Sequence, residues 1–539
     1  MKFSDLLLFD AKERGIEHFF GIPGSGFPMD AMESGKKVDV NFIHVAHEST
    51  AAIAAAYYGD EKNSPGLALT VKGVGAGNLA GGVANTYFER KPLLCVCEAG
   101  PEKQKIDLVQ VMDHFKLFES ISSFQANINH SKAREQLKSA ILSSIDGRPS
   151  ASVINITSDY QDNDCGEIPD YKKNNLKNTF IDKLTISKVS NRISLSKRPL
   201  ILLGADVERD KATQELILFV EKIGGSVLVN MDARGIIPEN HPRWAGVFTG
   251  NYNLETIEGE IEERSDLIIL IGADSMMTHI PWSFNKPTIE IVAREEYNST
   301  SINPEIRING NLKTILKILN DQVKQSNGFS LNEINEIKTK VLRHFVRDEQ
   351  AIFTVQDIIE SIKNIKNEDT TIITETGAFI RFFEHLLPVN KYGSYLGSSG
   401  GRTMGLTIPA SIGYGLAKPD TPKIAIGADG STLMRLGELE VFSRNNIVMP
   451  IVIINDMALG TMKARQNSRG FDSHGLNFVP VDFSKIAEAV GLYGVKVNTP
   501  ESFYDALKKS MTADKTTIID ARVDQESYWS GFAPSIGDI

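Results

Sequence analysis

Two aspartates stand where a chain would carry metal ligands. Asp429 lies in Ala428-Asp429-Gly430-Ser431-Thr432, just after the apolar run Lys423–Ile426, and Asp456 follows the run Ile451–Ile454. Between them Leu433, Leu436, Leu439 and Phe442 share one side of a predicted helix that ends near Asn445-Asn446. A strand–loop–helix–strand unit makes two adjacent parallel strands. Asp429 and Asp456 are therefore expected side by side at the strands' C-terminal ends. Two hard oxygen ligands at such an edge suit Mg²⁺, which keeps water and phosphate oxygens in its octahedron. Gly430 would let a phosphate approach the backbone. Plainer roles are open to the same residues: Asp429 as a helix cap, Asp456 as the start of a turn.

A second loop, Gly73-Val74-Gly75-Ala76-Gly77-Asn78, follows the strand-like run Leu67–Val71. It approaches the G-x-G-x-x-G pattern of dinucleotide sites, and Glu98 ends the next strand, but Asn78 takes the third glycine position. A tight strand-to-helix turn accounts for the loop without a nucleotide.

Such edges need parallel sheets to hold them. Strand-like runs occur at His18–Phe20, Val40–Val45, Leu67–Val71, Leu93–Val96, Leu200–Leu203 and Ser226–Val229. Others are Leu267–Ile271, Thr288–Val292, Thr371–Thr374, Lys423–Ile426 and Ile451–Ile454. Helical patterns separate them, which predicts an α/β chain of parallel sheets flanked by helices. Ser158–Asn178 and Val323–Glu336 are polar and aperiodic and read as linkers. They leave three expected domains, 1–165, 185–325 and 345–539. The first and third are compatible with one fold, though their sequences do not display it.

Composition narrows the classes. Hydrophobic residues at 41% and charged residues at 23% exclude a largely disordered, collagen-like or coiled-coil chain. A net charge of −10 disfavours nucleic acid and anionic membrane as partners. Cys95, Cys97 and Cys165 are too few for a disulfide framework, which fits a reducing cytoplasm. No apolar run has membrane-spanning length, and Met1–Gly15 reads as a short amphipathic helix.

The run from Ala428 to Gly460 resembles, without a gap, the thiamine diphosphate (ThDP) motif of the superfamily of acetolactate synthases, benzoylformate decarboxylases and pyruvate decarboxylases. Three further stretches resemble it in the right order: Gly21-Ile22-Pro23-Gly24-Ser25, His47-Glu48 with Gly73 to Asn78, and Ser399-Gly400-Gly401-Arg402-Thr403-Met404-Gly405. Arg198 to Gly204 and Gly272-Ala273 resemble its central domain. The resemblance implies a pyrimidine-binding domain, a Rossmann-like central domain and a diphosphate-binding domain. It implies Mg²⁺ held by Asp429, Asp456 and the carbonyl of Ala458. It implies ThDP bound by Asn78, Ala378, Phe379, Arg402, Met404, Asp429, Gly430, Ser431 and Asp456, with Met404 wedging the cofactor into a bent shape. Glu48 would contact the aminopyrimidine ring and activate the cofactor. Asp456 and Arg402 depart from the usual Asn and Gly.

The implied activity is a lyase on a 2-oxo acid, by decarboxylation with or without carboligation to a second carbonyl acceptor. The alternatives are an acetolactate-synthase-like carboligase and a non-catalytic ThDP-binding scaffold. Because Glu48 and the metal site come from different chains in the superfamily, a homodimer is the expected minimum and a homotetramer the expected assembly. Ser25 and His279 match substrate-facing positions of benzoylformate decarboxylases, but Val71 replaces their other histidine. Lys463 and Arg465 suit either a substrate carboxylate or a solvated helix face, and no feature demands flavin. The aromatic tail of Tyr528, Trp529 and Phe532 suits ordinary packing.

Overall fold

All eleven apolar runs form strands of parallel sheets in the computed structural model, which describes residues 1–101, 109–157, 164–165, 181–250, 253–278, 282–472, 474–528 and 531. The first sheet holds β1 (His18–Gly21), β2 (Asn41–His44), β3 (Gly66–Thr70), β4 (Leu93–Ala99), β5 (Phe124–Asn127) and β6 (Ala151–Thr157), in the order β2-β1-β3-β4-β6-β5. The second holds β7 (Pro199–Leu203), β8 (Ser226–Val229), β9 (Trp244–Val247), β10 (Leu267–Ile271), β11 (Thr288–Val292) and β12 (Ile306–Asn309), in the order β12-β11-β10-β7-β8-β9. The third holds β13 (Thr371–Thr374), β14 (Tyr395–Leu396), β15 (Lys423–Ala428), β16 (Pro450–Asn455), β17 (Tyr493–Val497) and β18 (Thr517–Arg522), in the order β14-β13-β15-β16-β18-β17. Strand for strand, the third sheet repeats the first. The second has the Rossmann order, with its switch point between β7 and β10.

Helices cover both faces, so β3, β10 and β16 are buried along their whole length and their sequences run apolar without alternation. The helix Glu48–Glu61 of the first domain is alanine-rich and buried over almost all its length. It packs against Thr407–Ala417 of the third domain. A Cβ on Gly413 would collide with the carbonyl oxygen of Ala54, so glycine is what lets the two backbones meet. One hydrophobic core therefore runs through both domains, with Ile53, Val83, Ile412 and Leu439 in it. Each such aliphatic side chain contributes about 1.5–3 kcal/mol by leaving water.

Two local expectations are corrected. The helix after Asp429 is not continuous: Asp429–Leu433 gives way at Arg435 to a 3-10 turn, and Leu439–Arg444 resumes beyond it. The break is where the first domain docks. Arg435 donates to the Gly405 carbonyl and to the Ser49 hydroxyl at 2.8 Å, and Glu438 accepts from the Ala46 amide at 2.8 Å. The presumed linker Val323–Glu336 contains the start of a helix, Leu331–Leu342, closed by a Ser330–Glu333 capping box and buried through Ile334, Ile337 and Val341. Most of Ser158–Asn178 lies outside the described residues. The N-terminal helix runs Phe3–Glu13, with Leu6, Leu7 and Leu8 buried.

Candidate functional site

Parallel pairing of β15 with β16 sets Ala428 opposite Ile454, so Asp429 and Asp456 leave neighbouring strands at the same edge. Both are buried, at 3% and 7% exposure. Asp429 accepts from the Gly430 amide at 2.6 Å and the Met457 amide at 2.7 Å, and Asp456 accepts from the Ala458 amide at 3.0 Å. Met457 adopts a left-handed backbone, φ 60°, which a side-chain-bearing residue takes only where its surroundings impose it. Burial, opposed by those amide bonds, pushes Asp429 up to about 6. Burial and then the charge of Asp429 push Asp456 up to about 7. Two carboxylates that resist ionising together are the donor set a divalent cation would relieve.

Among the described residues no three His, Cys, Asp or Glu side chains form a metal cluster. A cation at this pair would thus draw further oxygens from backbone or ligand, and the Ala458 carbonyl belongs to the same turn. The space beside the pair is closely lined. A Cβ on Gly430 would stand 3.0 Å from the Phe478 ring, and one on Gly460 would stand 2.8 Å from an Asp456 oxygen and 3.2 Å from Ala378. Ala378 and Phe379, both buried, follow β13 on that edge. Ser431 is buried at 1% exposure.

Two carboxylates that the sequence reading missed brace this edge. Glu375, directly after β13, accepts from the amides of Leu406 at 2.7 Å, Thr407 at 3.2 Å and Ala428 at 3.0 Å. It thereby ties the loop after β14 to the Asp429 loop. Burial raises it to about 7, opposed by those amide bonds. Glu89, from the first domain, accepts from the Ser398 hydroxyl at 2.8 Å and from the amides of Ser399 and Gly401, each at 2.9 Å. The loop so held carries Arg402 and the half-buried Met404. Glu375 ends an apolar run just as Asp429 does, and that pattern was the available signal. Nothing in the sequence near Glu89 announced its role.

In the first domain, Glu48 opens its helix with 7% exposure and accepts from the Asn78 side-chain amide at 3.0 Å. A Cβ on Gly75 would lie 3.3 Å from a Glu48 oxygen, so the glycine loop lines the carboxylate. Gly73 turns that loop at φ 65° and donates to Nε2 of buried His114 at 3.3 Å, while Nδ1 of His114 meets Asn155 Oδ1 at 2.9 Å. Glu98 faces Lys72 Nζ at 3.2 Å, an ion pair that occupies the acid a dinucleotide ribose would need. Ser25 is exposed in the turn after β1. Val71 reaches the neighbouring Gly24.

Other singled-out residues divide. His279, Trp529 and Phe532 lie outside the described residues. Lys463 donates to Gln525, whose amide donates to the Asp456 carbonyl at 3.2 Å, and Arg465 is exposed. Tyr528 is buried against Phe382. Among the described residues no hydrogen bond or ion pair joins Glu48 or Asn78 to Asp429 or Asp456.

Comparison with known proteins bears on the whole length. Residues 1–117 match the thiamine pyrophosphate enzyme N-terminal TPP-binding domain, 186–319 its central domain and 375–521 its C-terminal TPP-binding domain. A probable acetolactate synthase large subunit of Methanococcus aeolicus is 28% identical over 96% of this chain and 91% of its own length. The acetolactate synthase large subunit of Haemophilus influenzae is 24% identical over 97% and 95%. The catabolic acetolactate synthase of Raoultella terrigena is also 24% identical over 97% and 95%. With the three domains matched in order on three parallel sheets, the chain belongs to the thiamine-diphosphate-dependent enzyme superfamily.

Proposed function

We propose that this protein is a ThDP- and Mg²⁺-dependent lyase that decarboxylates a 2-oxo acid. The observation that carries the reading is the buried Asp429–Asp456 pair, two adjacent carboxylates raised by burial and by each other at a glycine-lined edge. Asp429, Asp456 and the Ala458 carbonyl would hold Mg²⁺, and Gly430 and Ser431 would meet the diphosphate. When bound, ThDP supplies an electron sink for the charge left as CO₂ departs. Glu48 would face the cofactor's pyrimidine ring and pass a proton to and from it, with Asn78 orienting the carboxylate. Met404 would pack beside the cofactor and hold its bent shape. Two copies of the chain would bring Glu48 of one against the metal turn of the other.

A second reading, carboligation to a second carbonyl, is favoured by the acetolactate synthase relatives. The deciding experiment incubates the loaded enzyme with a panel of 2-oxo acids and measures CO₂ and products. Aldehyde products support the lyase, and two-substrate adducts support the carboligase. Inertness with ThDP bound overturns both.

A further inference from the structure

The loop between β14 and the helix Thr407–Ala417 holds an arginine under unusual terms. Arg402 has φ 43°, a left-handed backbone disfavoured for any residue with a Cβ. Its Nη2 is buried without a hydrogen-bond partner. Three other arginines also have a buried, unbonded N–H, but each is ion-paired: Arg14 to Asp10 at 2.8 Å, Arg381 to Glu384 at 3.2 Å and Arg522 to Asp520 at 2.9 Å. Arg402 has no such partner among the described residues. Of its neighbouring acids, Glu384 pairs with Arg381, and Glu89 is spent on the Ser398, Ser399 and Gly401 donors. Burial presses the guanidinium below its ordinary value; the charges of Glu384 and then Glu89 oppose this, and Arg465, on the helix after Asp456, adds a smaller like charge.

The location gives this unmatched cation a meaning. β14, β13, β15 and β16 are consecutive in the sheet, so the loop that carries Arg402 leaves the same edge as the turns of Ala378, Asp429 and Asp456. Ligands of open parallel sheets bind outside the strands' C-terminal ends at the switch point, here between β13 and β15, one strand from β14. Lys463, by contrast, has a partner already, the Gln525 side chain.

We propose that Arg402 receives a second carboxylate on the substrate, so that the 2-oxo acid taken by this site is dicarboxylic. The planar guanidinium fork matches a carboxylate in charge and geometry. Arg465 raises the local positive potential without supplying a partner. The inference rests on the ThDP-enzyme reading above and names its substrate class.

The test compares acids matched in length, 2-oxoglutarate with 2-oxovalerate and 2-oxoadipate with 2-oxohexanoate, on the ThDP- and Mg²⁺-loaded enzyme. Wild type is expected to favour the diacids about 10- to 100-fold in kcat/KM, the range of one charge-assisted contact. R402Q should cost the diacids more than the monoacids and so erase the preference, chiefly through KM, and R402K should restore part of it. Calorimetric titration of 2-oxoglutarate into ThDP- and Mg²⁺-loaded Glu48→Gln enzyme, whose turnover is suppressed, reads the same contact, and adding R402Q should weaken it by a similar factor. Equal use of monoacids, no 2-oxoglutarate binding, or binding and preference that survive R402Q would each overturn the proposal while leaving the ThDP reading intact. Failure of wild type to bind ThDP with Mg²⁺ would overturn both.

Discussion

The first and third domains are built on one strand order and equipped for opposite tasks. In the first, the edge beyond β2 and β3 carries a single carboxylate, Glu48, held by Asn78 and lined by a glycine loop. In the third, the C-terminal edge beyond β15 and β16 carries two, crowded together and raised by burial. On the proposed function, the acid with a neutral amide donor would pass a proton, and the two crowded acids would hold a divalent cation. The shared scaffold supplies only the edge, and the residue after each strand decides the chemistry.

The sharpest way to break that contrast is Glu48→Gln. It should leave ThDP affinity nearly unchanged while lowering turnover about 10²- to 10⁴-fold, the range for a lost general acid–base, with C2 proton exchange of ThDP by NMR as the direct readout. Undiminished exchange would remove Glu48 from its role. Asp429→Ala should do the reverse, weakening ThDP binding about 100-fold or more in calorimetry and making residual binding indifferent to EDTA. If both variants fail in the same way, the two edges do not divide the work.

A smaller effect probes how the domains hold each other. Glu89→Ala strips acceptors from the Ser399 and Gly401 amides, at about 1–3 kcal/mol for each donor left buried and unmet. Denaturant unfolding should show the loss, and ThDP affinity should fall with it. The smallest expected effect lies in acid. Burial holds His114 below its ordinary value, so the neutral ring is the folded form and accepts from Gly73. Below pH ~6.5 the unfolded chain takes up that proton first, so stability is full above that pH and is lost as pH falls through the folded value. His114→Gln should flatten the decline in thermal melts taken from pH 8 to 5.

The central strands were legible in the sequence because parallel sheets bury them on both faces and leave uninterrupted apolar runs. The strands that escaped notice have physical excuses. β5, β9, β12, β14 and β17 are sheet edges, as in the polar Phe124–Asn127 or the two-residue Tyr395–Leu396. β6 and β18 are buried, but Asn155 and Asp520 interrupt their apolar pattern and are met by His114 and Asn455. The pairing of Asp429 with Asp456 at one edge was legible because both aspartates end strong strands. Glu89 and His114 were not, because their partners are backbone amides of segments distant in the chain, and no spacing encodes that. The common strand order of the first and third domains was equally invisible, since topology depends on which strands pair rather than on any residue.

Gly413 lies in another domain from Glu48, yet it fixes where that carboxylate can be. The helix Glu48–Glu61 rests on it at Ala54, about two turns from the carboxylate end at ~1.5 Å of rise per residue. The contact is a fulcrum. Any methyl added there would tilt the whole rod, and a rigid rod delivers the tilt at its tip. A shift of about 1 Å at a reacting group can cost on the order of 100-fold in rate. A position with no functional atom of its own thus sets the aim of the one that has.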